Sequence, residues 1–228
     1  MANPLRTLQE YGQSVWLDFV SRDLLKSGEL GRLIADDGLR GVTSNPSIFE
    51  KAIDSSDEYD APIGQALKKG DRPVAELFEH LAVEDIHHAA EALGPVYDHL
   101  AGQDGFVSLE VSPYLATDTK GTVAEAKRLW KEVDRKNLMV KVPATAQGLP
   151  AIEQLIGQGI NINITLLFSQ KVYVKVAEAY LAGLEKYVAK GGDPSHVASV
   201  ASFFVSRIDT ATWEGSPPLA TYFSRPAR

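Results

Sequence analysis

The sequence predicts an α/β fold in which parallel strands alternate with helices and curl into a barrel. Short runs rich in aliphatic and β-branched residues alternate along the chain with longer amphipathic segments, an order typical of parallel βα units. Within several of these runs polar residues occupy every second position, whereas a sheet covered by helices on both faces is apolar throughout. The polar positions therefore indicate an interior face that the strands share.

The predicted strands and helices follow one another in regular order. Six strands are predicted, at residues 14–19, 39–44, 106–111, 138–142, 160–168 and 198–205. Amphipathic helices are predicted at residues 22–35, 74–93, 122–133, 149–156 and 169–189, and several of them end near a Gly, a common helix terminator. The connection after the second strand, residues 48–105, is much longer and carries helical patterns at 59–69 and 74–100. We interpret it as a helical insertion and not as a separate domain.

The alternation is clearest in the third and fifth strands. Polar side chains stand at positions 108, 110 and 112 and at positions 161, 163 and 165, with aliphatic side chains between them. An antiparallel sheet would turn such a face to solvent, but the helical connections favour parallel strands. Unpaired polar groups in a barrel interior cost about 1–3 kcal/mol each, so we interpret this face as a site. Barrel enzymes place their sites at the C-terminal strand ends, where the following residues are predicted to lie: Asn45, Glu110, Lys141, Thr165 and Ser202.

Lys141 is a candidate nucleophile because it lies in an apolar strand-like run, LMVKVP at residues 138–143. Desolvation disfavours the charged form of an amine, and a neutral amine can attack a carbonyl carbon to form a Schiff base. The alternative is a lysine at a strand end whose ammonium group extends into solvent, which is the commoner case. This segment alone leaves both interpretations open.

Composition and charge exclude several classes of protein. The 23 Lys and Arg residues against 30 Asp and Glu give a net charge of -7, and no basic run is present, so nucleic acid is not an expected partner. The absence of cysteine excludes disulfides and cysteine-ligated zinc and fits a reducing cytoplasm. Residues 1–10 lack a signal-peptide core, and no apolar stretch reaches the roughly 18 residues of a membrane-spanning helix. We therefore expect a soluble, cytoplasmic protein without a membrane partner.

Histidines in the insertion raise the possibility of a metal centre. Glu84 and His88 are four residues apart on one predicted helix and His87 is adjacent, but the HExxH pattern of zinc enzymes is absent. We therefore favour a solvated, charged helix face and predict no metal site.

Four segments resemble successive motifs of the transaldolase family. They are TSNPS at residues 43–47, VKVPAT at 140–145, NINITLLFS at 161–169 and SFFVSR at 202–207, and the resemblance runs in family order from about residue 13 to residue 209. It implies a class I aldolase-type (β/α)8 TIM-type barrel, of which about six of the eight βα units are visible. It further implies transfer of a dihydroxyacetone unit between sugar phosphates, without metal or organic cofactor. In the pentose phosphate pathway, that reaction converts sedoheptulose 7-phosphate and glyceraldehyde 3-phosphate to erythrose 4-phosphate and fructose 6-phosphate.

The resemblance also implies which residues carry the chemistry. Lys141 resembles the Schiff-base lysine, whose iminium withdraws electrons while the adjacent carbon–carbon bond breaks. Glu110 resembles the carboxylate that moves protons through a bound water during imine formation, and Thr165 resembles a residue that holds this water. Asp18 resembles the second acid–base group, which takes the hydroxyl proton at cleavage. Two carboxylates near one amine can divide these roles when their environments differ.

Four further residues resemble substrate-binding groups. Asn45 and Ser202 are implied to hydrogen-bond hydroxyls of the donor sugar, and Phe204 is implied to form a wall of the pocket. Arg207 is implied to anchor a phosphate, a role that suits its permanent charge and forked donors.

Three of these residues also have a structural alternative. Asp18 could cap the helix that follows the first strand, and Asn45 with Pro46 could form only a helix-entry turn. Arg207 could pair with Asp209. We prefer the functional interpretation because these residues are expected together at the strand ends.

The end of the chain departs from the family pattern, because residues 212–228 are rich in Pro, Gly, Ser and Arg and lack a helical period. We expect an incomplete barrel domain at residues 1–209, without strands seven and eight, and an atypical tail at residues 210–228. Three functions then stay open: an active transaldolase, an inactive fragment that acts by association, and a non-catalytic barrel that binds a sugar phosphate. The unpaired edges of an open sheet favour self-association.

Overall fold

The computed structural model describes residues 3–68, 70 and 73–212. Its centre is one sheet of six parallel strands, which lie in the order in which they occur along the chain. The strands are β1 (Trp16–Leu17), β2 (Gly41–Val42), β3 (Phe106–Glu110), β4 (Leu138–Pro143), β5 (Ile162–Leu167) and β6 (Ser199–Phe203). The predicted α/β class and strand order are confirmed. β1 and β2 are shorter than predicted, although Arg40 N donates to Val15 O and Thr43 N donates to Leu17 O on either side of their pairing.

Helices connect the strands throughout the described part of the chain. They are α1 (Pro4–Glu10), α2 (Arg22–Lys26), α3 (Glu29–Arg32), α4 (Pro46–Asp54), α5 (Asp60–Lys68), α6 (Val74–His99), α7 (Thr119–Val133), α8 (Gly148–Ile156), α9 (Gln170–Ala189) and α10 (Val205–Thr212). A π-helical turn (Leu33–Asp37) follows α3, and 3-10 turns lie at Asp57–Tyr59, Pro113–Leu115 and Pro194–His196. Among these residues no helix has both the length and the apolar character needed to cross a membrane.

The insertion between β2 and β3 is helical, as predicted, and consists of α4, α5 and α6. The predicted helix at residues 22–35 is wrong as one continuous element, because Gly28 has a φ of 81° and separates α2 from α3. Gly adopts this left-handed conformation without steric cost, but it interrupts a right-handed helix. α10 continues past the proposed domain boundary at residue 209, and the predicted tail from residue 213 to residue 228 lies outside the described residues.

Contacts between side chains two strands apart show that the sheet curls strongly. Asn163 of β5 donates a hydrogen bond to Ser108 Oγ of β3 at 3.0 Å, although β4 lies between them. Neighbouring strands are about 4.8 Å apart, so in a flat sheet these two strands would be about 10 Å apart. The six strands therefore form a curled half-barrel, as a partial (β/α)8 barrel requires. β1 and β6 do not pair with each other within the described residues, and self-association at these edges stays a prediction.

The outer face of the sheet is aliphatic and packs under the helices. Buried side chains of β3, β4 and β5 form one core with buried side chains of α6, α7 and α8. The strand residues in this core include Val107, Leu109, Val140, Val142, Ile162 and Ile164. Complete burial of one such side chain contributes about 1.5–3 kcal/mol, so this layer is a main source of stability.

The inner face changes from apolar to polar along the strands. Its N-terminal end is closed by an apolar cluster that includes Trp16, Phe106 and Met139. Toward the C-terminal end, Glu110 is in register with Lys141, and Pro143 is in register with Thr165. The shared polar interior that the alternation predicts is thus confirmed.

A buried ionic cluster joins the insertion to the first βα unit. Arg22 Nε of α2 donates to Asp85 Oδ1 of α6 at 2.8 Å, and Tyr59 OH donates to Asp85 Oδ2 at 2.8 Å. Burial raises the pKa of Asp85, while the hydrogen bond from Tyr59 and the charge of Arg22 oppose that rise. Because each of these groups has a polar partner, the cluster holds α2 and α6 together without leaving a buried charge uncompensated.

Candidate active site

The amine of Lys141 is buried inside the half-barrel. β4 places the side chain on the inner face, where it is only 7% exposed. Nζ donates a hydrogen bond to the main-chain oxygen of Ser44 at 2.9 Å and lies 3.3 Å from Oε2 of Glu110. The interpretation of Lys141 as a lysine that extends into solvent is therefore wrong. Its role as a nucleophile stays a prediction.

Glu110 is the carboxylate closest to this amine in the described structure. It is the last residue of β3 and lies in register with Lys141 on the neighbouring strand. Its side chain is 19% exposed, so the carboxylate approaches the buried amine and is also partly accessible to solvent. A carboxylate in this position can take a proton from an amine or pass one to a bound substrate.

The contact with Ser44 is a feature of the site that the sequence does not reveal. Ser44 follows β2, is fully buried, and donates a hydrogen bond from Oγ to the main-chain oxygen of Ser108 at 2.7 Å. This bond holds the Ser44 peptide against β3, and the carbonyl oxygen of Ser44 then accepts from Lys141. No side-chain pattern can predict a contact made by a main-chain carbonyl group.

Asn163 links the predicted site residue Ser202 to the interior of β3. Its Nδ2 donates to Ser108, and its Oδ1 accepts a hydrogen bond from Ser202 Oγ at 2.7 Å. Asn163 is in register with Lys141, and Thr165 follows two residues later on the same buried face. The alternation of polar residues in the fifth strand indicates Asn163, but it was not among the predicted site residues.

Asn45 has a structural contact and also lines a cavity. Its Oδ1 accepts from Ile48 N at 3.0 Å, so the helix-entry interpretation is confirmed for this oxygen, which caps α4. Asn45 also lines a cavity of about 350 Å³ together with Ser44 and Glu110. A hydroxyl-binding role for its amide group stays a prediction.

Asp18 lies at the C-terminal end of β1 and is exposed. The interpretation of Asp18 as a helix cap is wrong, because Ser21 caps α2 by accepting a hydrogen bond from Leu24 N at 3.2 Å. Among the described residues, Asp18 makes no hydrogen bond or ion pair with Lys141. The structure therefore places it at the predicted end of the sheet without bringing it into contact with the amine.

Phe204 and Arg207 form a separate group after β6. The ring of Phe204 stacks on Phe168 with 5.4 Å between the ring centroids, and the guanidinium group of Arg207 lies 4.2 Å from the centroid of Phe204. A cation over an aromatic face is held without losing its outward donors. Arg207 is exposed, so it can accept an anionic ligand at this edge of the site.

His87 of α6 has partners other than a metal. His87 Nδ1 lies 2.9 Å from the main-chain oxygen of Val133, and its Nε2 lies 2.6 Å from Arg135. Glu84 forms an ion pair with Arg22 at 2.5 Å. In the part of the chain that the structure describes, no group of three or more His, Asp or Glu side chains is arranged to hold a metal ion.

Comparison with known proteins gives the family of this chain. The family model described as Transaldolase/Fructose-6-phosphate aldolase matches residues 15–222. The chain belongs to this family. The relative named "Transaldolase 2" from Nostoc punctiforme is 50% identical over 208 residues, which are 91% of this chain and 54% of the relative. The transaldolase of Thermobifida fusca is 49% identical over 221 residues, which are 97% of this chain and 60% of the relative. The chain spans about half the length of the curated relatives it matches.

Membership of the transaldolase/fructose-6-phosphate aldolase family confirms the resemblance seen in the four motifs. The family match extends beyond residue 209, where the motif resemblance was expected to end, to residue 222. All of the predicted site residues lie inside the matched range, from Asp18 to Arg207. α1 precedes that range. The roles of the individual residues stay predictions.

Proposed function

We propose that this chain acts as a transaldolase and transfers a dihydroxyacetone unit between sugar phosphates through a Schiff base on Lys141. The proposed reaction is the cytoplasmic pentose phosphate step that converts sedoheptulose 7-phosphate and glyceraldehyde 3-phosphate to erythrose 4-phosphate and fructose 6-phosphate. Family membership and the names of the relatives support this reaction class. The observation that carries the proposal is the buried amine of Lys141, which lies 3.3 Å from Glu110.

Imine formation needs a neutral amine and a group that moves protons. Nζ of Lys141 attacks the C2 carbonyl carbon of the ketose, and the carbonyl oxygen takes a proton to give a carbinolamine. The nitrogen then loses a proton, and the hydroxyl group takes one and leaves as water, which produces the protonated imine. The position of Glu110 beside Nζ supports its role as carrier of these protons, through a water that Thr165 helps to hold.

Cleavage follows when the iminium accepts the electron pair of the C3–C4 bond. The C4 hydroxyl group loses its proton to Asp18, C4 becomes the aldehyde carbon of the released aldose, and a three-carbon enamine stays on Lys141. Attack of this enamine on the aldehyde of the acceptor reverses the same steps. The place of Asp18 after β1, at the end of the sheet where Lys141 and Glu110 meet, supports this division of roles.

The remaining predicted residues are assigned to substrate binding. Asn45 and Ser202 hydrogen-bond the hydroxyl groups of the donor, Phe204 forms one wall, and Arg207 binds the phosphate. The stacking of Arg207 on Phe204 supports this assignment, because it fixes the guanidinium group at the side of the site formed by β6 and α10.

Borohydride trapping tests the proposal directly. The chain is incubated with fructose 6-phosphate, reduced with borohydride, digested and analysed by mass spectrometry. We expect a stable adduct on Lys141, no adduct in Lys141→Met, and a normal adduct in the control Lys186→Met, whose lysine is exposed and paired with Glu153. An adduct confined to surface lysines, or no adduct in folded protein, would overturn the proposal.

A further inference from the structure

The main chain just after Glu110 is held by two different partners. Val111 N donates to the main-chain oxygen of Lys141 at 3.2 Å, which continues the pairing of β3 with β4. The next amide, Ser112 N, lies beyond that pairing and instead donates to Oε1 of Glu125 on α7 at 2.7 Å. A charged acceptor therefore anchors the end of the strand that carries Glu110.

Glu125 is itself held in an ionic network between α6 and α7. Its Oε2 lies 4.0 Å from Arg128, and Arg128 makes a bidentate contact with Glu79 of α6 at 2.7 and 2.6 Å. Glu132, which lies four residues after Arg128 on α7, also accepts from Arg128 at 3.0 Å. The Ser112 amide donates to Glu125 and not to Glu132. The side chain of Glu125 is 21% exposed, so its carboxylate is partly shielded from water where it meets the Ser112 amide.

We propose that Glu125 is a positioning residue for Glu110. The hydrogen bond from Ser112 keeps the end of β3 in place, and this holds the Glu110 carboxylate at its distance from the Lys141 amine. The inference rests on the proposed function, because it concerns the proton transfers assigned to Glu110. A displacement of about 1 Å in a reacting group can reduce a rate about 100-fold, so a loose strand end is enough to impair the site.

The test compares five variants by the rate of imine formation with dihydroxyacetone, trapped with borohydride, and by thermal unfolding: Glu125→Ala, Glu125→Gln, Glu132→Ala, Glu110→Gln and the double variant that combines Glu110→Gln with Glu125→Ala. We expect Glu125→Ala to slow imine formation about 10-fold to 100-fold. Glu125→Gln retains an oxygen that accepts from Ser112 and should stay within about 3-fold of the unmodified chain. The matched control, Glu132→Ala, removes a partner of the same Arg128 and should form the imine at the normal rate. If Glu125→Ala does not fold, Glu125→Asp replaces it, since it withdraws the carboxylate by one methylene group.

The double variant, compared with Glu110→Gln alone, separates positioning from a general structural role. In a Glu110→Gln background, Glu125→Ala should cause little further loss, because the group that it positions no longer carries protons. The inference is overturned if the losses of Glu110→Gln and Glu125→Ala multiply in the double variant. It is also overturned if Glu125→Ala and the unmodified chain form the imine at equal rates, or if Glu125→Gln slows imine formation as much as Glu125→Ala does. Absence of an imine in the unmodified chain would instead overturn the proposed function and this inference with it. An unmodified chain that forms the imine while Glu125→Ala is unimpaired refutes the inference alone.

Discussion

The two ends of the half-barrel interior differ in how many hydrogen-bond partners the fold supplies to a buried polar group. At the N-terminal end, Asn161 donates to the main-chain oxygens of Lys136 and Leu138, and it accepts from Ala198 N at 2.9 Å. At the C-terminal end, the ammonium form of Lys141 has three donors, and two polar partners approach it among the described residues. The fold supplies a partner to each polar atom of Asn161, whereas the amine of Lys141 has a donor left for a ligand.

Asp104 is a second polar group at the N-terminal end with several partners in the fold. Its carboxylate accepts hydrogen bonds from Ser14 Oγ, from Trp16 Nε1 at 3.1 Å and from Gly105 N at 3.0 Å. These bonds join β1 to the segment that enters β3. Polar groups at this end hold segments of main chain together, while those around Lys141 are arranged around a buried amine. This difference agrees with the rule that parallel barrels carry chemistry at the C-terminal strand ends and stability at the other.

The largest expected effect is the loss of turnover in Lys141→Met. We expect activity in a coupled transaldolase assay to fall more than about 10⁴-fold, because the substitution removes the proposed nucleophile. We also expect the melting temperature to change by no more than about 4 °C, since Met fills similar apolar space and the partly exposed Glu110 can hydrate. Lys186→Met is the control. Turnover that survives in Lys141→Met would mean that the chemistry does not depend on the amine at the C-terminal end of the interior.

The two carboxylates should separate into two kinetic steps. Glu110→Ala and Asp18→Ala should each reduce turnover about 10²–10⁴-fold while the protein stays folded, which is the usual contribution of a proton carrier. Trapping with borohydride should show slow imine formation in Glu110→Ala. Asp18→Ala should form the imine normally and accumulate it, because cleavage of the carbon–carbon bond is the impaired step. Equal impairment of both steps in both variants would contradict the division of roles.

The sequence predicts the interior site because strand periodicity is local. Polar and aliphatic residues alternate with a period of two, so the shared face of Glu110, Asn163 and Thr165 can be identified without a structure. The distance between Glu110 and Lys141 cannot be predicted in this way, because it depends on the register between β3 and β4.

Two other features need the folded main chain. The carbonyl group of Ser44 contacts Lys141 without any side-chain signal, and Glu125 reaches Ser112 only because α7 packs against the sheet on β4, the strand next to β3. The break at Gly28 has a signal in principle, since Gly often ends helices, but an amphipathic pattern on both sides favours one continuous helix. Strand periodicity therefore identified the interior face, whereas helical periodicity missed the break at Gly28.

Replacement of Asn161 should show the opposite behaviour to replacement of Lys141. Asn161→Leu removes the side-chain amide that pairs with main-chain groups of Lys136, Leu138 and Ala198. We therefore expect a loss of about 3 kcal/mol in the free energy of unfolding. Urea denaturation measures this loss, and turnover per folded molecule should be unchanged. Gln158→Leu is the control, because the exposed Gln158 amide donates to Gln154 O and to no other group among the described residues, so the change should alter stability by less than about 0.5 kcal/mol. A stable but inactive Asn161→Leu would mean that the N-terminal end also takes part in the chemistry.

The smallest expected effect concerns Ser44, which contacts Lys141 through its carbonyl group and β3 through its hydroxyl group. Ser44→Ala removes the 2.7 Å hydrogen bond to Ser108 O, so the Ser44 carbonyl group that accepts from Lys141 is held less firmly. One neutral hydrogen bond contributes about 0.5–1.5 kcal/mol, and we therefore expect imine formation to slow by about 10-fold or less. Ser44→Thr retains the hydroxyl group and is the matched variant, which should form the imine faster than Ser44→Ala. Equal rates in Ser44→Ala and the unmodified chain would show that β2 and α4 hold this peptide without the side chain. In that case the Ser44 carbonyl group would still accept from Lys141, and the main chain alone would hold this second contact of the amine beside Glu110.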